Sequence, residues 1–341
     1  MKRLLVPVVA LVAGIAAGRA MWLHYQPDIF VSHRESVMGT SLDVSVQARS
    51  EAAAIAAEAA VLAEIERESK ILSGYDADSE FSRWTRSAGE PLKLSPELVD
   101  VLAAFDDWRV RTNGALDPAA EAVSRVWQRA AARDRLPAAA DVQAAVADVQ
   151  RKHWTVDRTA MTATRTSDVP VILNSFTKSY VIDRAARRAL DVPGVSGVML
   201  NAGGDVVIRG GWTRTVGVAD PLNNADNAVP MANLVIRDAV VATSGGYKRG
   251  FDINGRHYSH VIDPRTGQPT GHVLSATVVA SSPVDAGALA TAFCVLSPSE
   301  SLALGRTVPG AEFVLTLANG DRKSTRLNSS HVSESRMPSS A

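Results

Sequence analysis

The chain has 341 residues, 46% of them apolar, and its 36 Lys and Arg balance its 36 Asp and Glu. That length makes one large globular domain or two smaller ones, and zero formal charge offers no broad basic field for nucleic acid. The single cysteine, Cys294, excludes an internal disulfide and any cysteine-based zinc or iron–sulfur centre; its apolar surroundings, Ala288–Leu296, read as a buried core thiol.

Taken from the start of the chain, Lys2-Arg3 form a short basic region, Leu4 to Ala17 carry no charged or polar side chain, and Gly18-Arg19-Ala20 supply small residues for a signal peptidase. Residues 1–20 therefore read as a secretory signal peptide or a retained N-terminal anchor. The apolar run is short for a bilayer span, and no cysteine follows it for lipidation. Either reading puts the body of the protein outside the cytoplasm: periplasmic, secreted, or held at the outer face of the inner membrane.

Ser36 to Gln47 alternates apolar and polar residues and predicts a strand, with Met38-Gly39-Thr40 near its start. Ser50 is placed to cap an alanine-rich helix running to about Lys70. Tyr75 to Ser79 is a turn-rich loop. Ser95-Pro96 starts a helix that carries Leu98, Val101, Leu102, Phe105 and Trp108 on one face and ends at Asn113-Gly114. Ala119 to Val149 reads as two further helices.

Strands then dominate: Val198–Asn201, Asp205–Arg209, Arg214–Ala219, Leu234–Ala242, Gly250–Asn254, Arg256–Ile262 and Leu274–Ala280, with Asn254-Gly255 as the strongest hairpin signal. Thr177–Leu190 and Asp285–Leu296 are helices among them. From about Lys323 serine dominates without apolar period; residues 323–341 resemble a translated adaptor and are set apart from the fold. The expectation is an α+β (mixed α/β) fold over residues 34–320, its helical first half packed with a strand-rich second half.

Chemistry concentrates in three segments. Asn201-Ala202-Gly203-Gly204-Asp205 follows an apolar strand, and the backbone N–H groups of Gly203 and Gly204 suit phosphate oxygens or a flat ring. It lacks the third glycine and the helix of a dinucleotide fingerprint. Around Lys178, polar residues crowd a strand-to-helix transition, where an anion site and a solvated cap are both open readings. Val241 to Gly267 brings Thr243-Ser244, two glycines and His260 to strand ends, with His260 as the proton-transfer candidate and Ser244 as a ligand contact. His24, His33, His153, His257, His272 and His331 lack such a setting. Asp285 and Thr291, on one short helix, offer oxygen ligands for magnesium, although an aspartate at a helix start also reads as a cap.

These segments, in this order, resemble the ApbE family, the FAD:protein FMN transferases. The resemblance rests on Met38-Gly39-Thr40, the Tyr75 loop, Gly114 to Asp117, Lys178 with Asp183, Asn201 to Asp205, Thr243-Ser244-Gly245, Ser259 to Gly267 and Ala288 to Ala292. It implies magnesium-dependent transfer of FMN from FAD to a threonine hydroxyl of an acceptor flavoprotein, releasing AMP. It also implies FAD contacts at Met38, Tyr75, Ala115, Leu116, Asp117, Lys178 and Val261, with His260 as the base that deprotonates the threonine. Magnesium would take the Ser175 carbonyl and the Thr291 hydroxyl, with Asp285 as the nearest carboxylate.

Two positions depart from the family pattern: Ile172 and Gly287 stand where aspartates are usual. An FAD-binding protein without transferase activity, and an FAD pyrophosphatase giving FMN and AMP, are the alternatives those departures raise.

Overall fold

The computed structural model describes residues 27–325, apart from residue 88, residues 224–228 and residue 248. Its frame is an eight-stranded sheet: β1 (Asp28–Val37), β2 (Thr40–Ala48), β3 (Val195–Ala202), β4 (Asp205–Arg209), β5 (Val240–Gly245), β6 (Val273–Ala280), β7 (Glu312–Leu317) and β8 (Arg322–Thr325). The strands lie side by side in chain order and every neighbouring pair is antiparallel. Everything else in the fold is an excursion between two adjacent strands, and the excursions carry the candidate site.

Both faces of the sheet are covered, so the period-2 alternation of its strands sorts apolar residues to two cores rather than to core and solvent. On β4, Val207 joins the main core while Val206 and Ile208 join a second one; all five β4 residues are buried. The main core lies under α1 (Glu51–Leu72), α2 (Pro96–Arg111), α3 (Thr177–Leu190) and α4 (Pro283–Val295). The other face is closed by the hairpin Thr213–Val218/Ala232–Arg237, with Trp212, Leu234 and Ile236. A third, smaller core joins helices Ala120–Ala131 and Ala139–Val149 to the hairpin Gly250–Ile253/Arg256–Ser259, where Trp127 packs on Tyr258 and donates to the Gly267 carbonyl at 2.9 Å.

Local signals in the sequence account for the helix starts. Ser50 caps α1 and accepts from the Ala53 amide, and Ser95 caps α2 with Pro96 in its first turn. Helix α2 ends at Thr112, followed by Asn113 and Gly114 at positive φ. The α+β expectation is met.

Several boundaries differ. The single strand expected over Ser36–Gln47 is a hairpin, because Met38 and Gly39 both take left-handed φ (49° and 73°), the two-residue turn that matches strand twist. The first strand of this hairpin is Asp28–Val37. The helices of the first half are joined by a small sheet of Pro91–Lys93, Trp154–Asp157 and Thr162–Arg165. Leu234–Ala242 divides at Asp238 (φ 47°), so its first part serves the side hairpin and its second the main sheet. Lys323 to Thr325, set apart with the tail, extend β8 by backbone pairing with β7, which requires no apolar pattern. The proposed leader and the remainder of the tail lie outside the described residues. Among the described residues no helix is long and apolar enough to cross a membrane.

Candidate active site

Two cavities open side by side at the strand ends. The first, about 290 Å³, is bordered by Met38, Thr40, Tyr75, Lys178, Gly203 and Arg249. The second, about 220 Å³, is bordered by Ala115 to Pro118, Ser175, Ser244, His260, Val261 and Thr291. Asn174 borders both. Each is at or below the ~300 Å³ lower end of ordinary small-molecule sites, so a larger ligand would have to occupy both.

The first cavity is built on close backbone approach. A Cβ at Gly203 (φ 56°) would stand 2.4 Å from Thr40 Oγ1, so only glycine lets the β3–β4 turn close against the β1–β2 turn. Gly204 (φ 96°) shapes the same turn, its N–H held by Asn201 Oδ1 at 3.1 Å, but it borders neither cavity. Lys178 sits in the first turn of α3, its Nζ 3.6 Å from Asp205 Oδ2. Asp205 also accepts from Ser179 Oγ at 2.9 Å; burial holds its carboxyl above the usual range, against the pull of Lys178. Asn174 Nδ2 donates to the Tyr75 hydroxyl at 2.8 Å, tying the loop after α1 to the loop before α3.

The second cavity holds the imidazole. The strand expected over Arg256–Ile262 stops at Ser259, and Ile262–Asp263 begins a separate short pairing. The break turns His260 into the cavity. Its backbone N–H and its Nδ1 both meet the Arg249 carbonyl, at 3.2 and 3.0 Å. A carbonyl only accepts, so Nδ1 carries the proton and Nε2 keeps its lone pair. Burial, with the nearby charges of Arg249 and His257, lowers the His260 pKa below its ordinary value, although the carbonyl contact opposes this. The ring is thus a neutral base near pH 7. Asp263 does not partner His260: it forms a two-pronged pair with Arg265, at 2.9 Å for each contact, and caps its own turn.

Asp117 borders this cavity with its carboxylate already engaged, 2.5 Å from Arg109 Nε and accepting from the Ala119 amide at 2.8 Å. Ser244 presents the end of β5, and its carbonyl accepts from Cys294 Sγ at 3.4 Å. Complete burial pushes the Cys294 thiol up to about 12, in keeping with an inert core residue.

The expected metal ligands meet only in part. Thr291 Oγ1 donates to the Ser175 carbonyl at 3.2 Å, so two oxygen donors stand together. Asp285 is not with them. It lies in the first turn of α4, faces Arg111 at 3.8 Å, and borders neither cavity. Six residues along a helix turn through ~600°, which sends Asp285 and Thr291 to different faces. At Gly287, one of the two departures from the pattern of the resemblance, a Cβ would stand 2.7 Å from the Phe176 Cα and 3.0 Å from the Ser175 carbonyl, so the neighbouring backbone fills that space. Ile172 borders the second cavity with an apolar side chain. Among the described residues no group of three or more His, Cys, Asp or Glu is placed to hold a metal. Two neutral oxygens without a carboxylate do not make a resident magnesium site, since that ion leans on one or two carboxylates plus substrate phosphates.

Of the expected site residues, then, Met38, Tyr75, Lys178 and Gly203 share the first cavity. Ala115, Leu116, Asp117, Ser175, Ser244, His260, Val261 and Thr291 share the second. Sequence reasoning passed over Asn174 and Arg249 as site residues. The sign of Arg249 was available in the charged Lys248-Arg249 step beside the Ser-Gly-Gly loop.

Residues 38–315 match the ApbE family. A FAD:protein FMN transferase of Klebsiella pneumoniae is 30% identical over 277 residues, covering 77% of this chain and 78% of that protein. The Escherichia coli K12 protein of the same name is 26% identical, with 74% of each chain covered. Among solved structures, the Thermotoga maritima ApbE protein superposes with a TM-score of 0.77 at 24% identity, covering 88% of this chain and 97% of that one. The Vibrio cholerae flavin transferase ApbE gives 0.68 at 21% identity, covering 87% and 97%; these likenesses are of fold. Two adjoining cavities with a neutral histidine on the wall of one make the frame of a group-transfer site, and the chain belongs to the ApbE family.

Proposed function

We propose that this protein is an FAD:protein FMN transferase, joining the FMN half of FAD to a threonine hydroxyl of an acceptor flavoprotein and releasing AMP. The observation that carries the reading is the His260 ring, neutral and oriented by the Arg249 carbonyl, on the wall of one of two adjoining cavities that share Asn174. In the reaction the threonine Oγ–H gives its proton to His260 Nε2 as the oxygen bonds to the flavin-side phosphorus. The bridging P–O bond breaks and the AMP oxygen takes the bonding pair. A hydroxyl attacks poorly until its proton has a place to go, and transfer at phosphorus otherwise depends on alignment and charge neutralisation.

Lys178 supplies one positive charge in the cleft. Magnesium enters this reading as the counter-ion of the substrate's own phosphates, with the Ser175 carbonyl and Thr291 hydroxyl as nearby oxygens, and no step is assigned to it. The protein acts in the periplasm or at the outer face of the inner membrane, where its acceptor would be exported or membrane-attached.

The absence of carboxylates at Ile172 and Gly287 favours one alternative, an FAD-binding protein without transfer. Intact-mass analysis of an acceptor incubated with FAD separates the two. The transferase reading expects the mass of one FMN on the acceptor together with free AMP. It also expects His260→Gln to lower that rate by about 10²- to 10⁴-fold while FAD stays bound. Intact bound FAD and an unlabelled acceptor would establish the binding protein; FMN and AMP without label would establish the pyrophosphatase.

A further inference from the structure

Arg249 lines the first cavity and reaches the histidine of the second through its backbone. Its carbonyl holds the His260 ring of the second cavity, while the residue borders the first together with Lys178, Met38 and Gly203. Other arginines near the second cavity are engaged: Arg109 by Asp117 and Arg265 by Asp263. No carboxylate among the described residues pairs with the exposed Arg249 side chain.

The position matters because of what the reaction requires. If His260 deprotonates the attacking hydroxyl, the phosphorus under attack lies within a few ångströms of the imidazole. The pyrophosphate then lies at the junction of the cavities, within reach of a side chain that springs from the residue touching that imidazole. A pyrophosphate brings at least two negative charges into a partly desolvated cleft. Among the described residues no group of three or more His, Cys, Asp or Glu is placed to hold a metal, Asp117 and Glu68 at the cavity walls are already paired with arginines, and Lys178 is partly satisfied by Asp205. A guanidinium fits phosphate oxygens two at a time and stays charged at any working pH.

We propose that Arg249 is a phosphate-binding residue of this cleft: with Lys178 it grips the FAD pyrophosphate and supplies, as fixed side-chain charge, the neutralisation that a carboxylate-held metal would bring. The proposal rests on FAD being the ligand of the cleft, as in the function proposed above, but not on transfer taking place.

The test titrates the full chain and its Arg249→Ala and Arg249→Lys variants with FAD and with riboflavin, by flavin fluorescence in EDTA and at several salt concentrations. Charge-assisted contacts of this kind correspond to about a 10- to 100-fold loss of FAD affinity in Arg249→Ala, with riboflavin, which has no phosphate, bound as before. Arg249→Lys recovers part of the loss, and FAD binding by the unaltered protein weakens more steeply with salt than binding by Arg249→Ala. Equal FAD affinities overturn the proposal. So do parallel losses of FAD and riboflavin, parallel salt slopes, or FAD binding by the unaltered protein that disappears on chelation. FAD binding that depends on Arg249, without labelled acceptor, defeats the transferase reading and leaves this one standing; labelled acceptor with equal affinities does the reverse. No FAD binding under any condition overturns both.

Discussion

His260 gains its usefulness from a contact that sequence inspection does not reveal. The histidine itself was legible, because it follows a strand-favouring run beside a glycine loop. Its tautomer was not, because the group that sets it, the Arg249 carbonyl, lies eleven residues away across a hairpin. The same contact and the burial of the ring set the pH dependence. Only the neutral imidazole accepts a proton, and burial lowers its pKa below 6.5. The acid limb of kcat/KM, which reports the free enzyme, should therefore have its midpoint below pH 6.5, with a plateau through pH 7. A midpoint at or above 6.5 in the pH profile would contradict the burial argument. The stability linkage has a matching sign: the unfolded chain binds this proton more readily, so the group's contribution is present above pH 6.5 and is lost as pH falls through the folded pKa.

Where the elements break decides more than where they run. The Thr177–Leu190 helix has the limits its sequence suggests, because an apolar face at 3.6 spacing is a local property. The turn at Met38-Gly39, the corner at Asp238 and the end of the strand at Ser259 fall inside stretches that each read as a single strand, and pairing with distant segments divides them. Gly287 is the sharpest case. Glycine inside a helix is ~1 kcal/mol less favourable than alanine, so Gly287→Ala should stabilise α4 if propensity alone mattered. The added Cβ would stand 2.7 Å from the Cα of Phe176, however, and that ring is buried and stacked on Phe105 at 4.2 Å. Neither backbone nor ring yields cheaply, and overpacking of this kind costs about 1–3 kcal/mol. The expected net result is a lower midpoint in urea unfolding, with Ser175 pushed away from Thr291; an unchanged or raised midpoint would show that the loop gives way.

Across the whole molecule, chain order and sheet order coincide, which explains why the site was visible as scattered motifs without being visible as a site. The ends of β1, β3 and β5, the loop after β5 and helix α4 converge only once the meander is laid out. That register depends on how α3 is fixed to the sheet, by its apolar face and by one buried ion pair. On β4, Asp205 and Arg209 share the helix-facing side with Val207. Arg209 meets Asp183 of α3 at 2.5 Å, with both side chains only 7% exposed, and donates to the Ser281 carbonyl at 3.0 Å. Asp183 also takes Arg187 at 2.8 Å, but that arginine is 60% exposed. The two contacts should differ widely in worth. Asp183→Asn leaves the Arg209 charge buried without its counter-ion, a loss of about 3–5 kcal/mol, whereas Arg187→Ala removes a screened surface pair worth under ~1 kcal/mol. Denaturant unfolding of the two variants measures this directly. Because Lys178 rides in the first turn of α3, Asp183→Asn should also weaken FAD binding at temperatures where the protein is still folded, and Arg187→Ala should leave it unchanged. Equal destabilisation by the two variants would mean that the buried pair does not anchor the helix, and that apolar packing alone holds α3 over the strands that form the cleft.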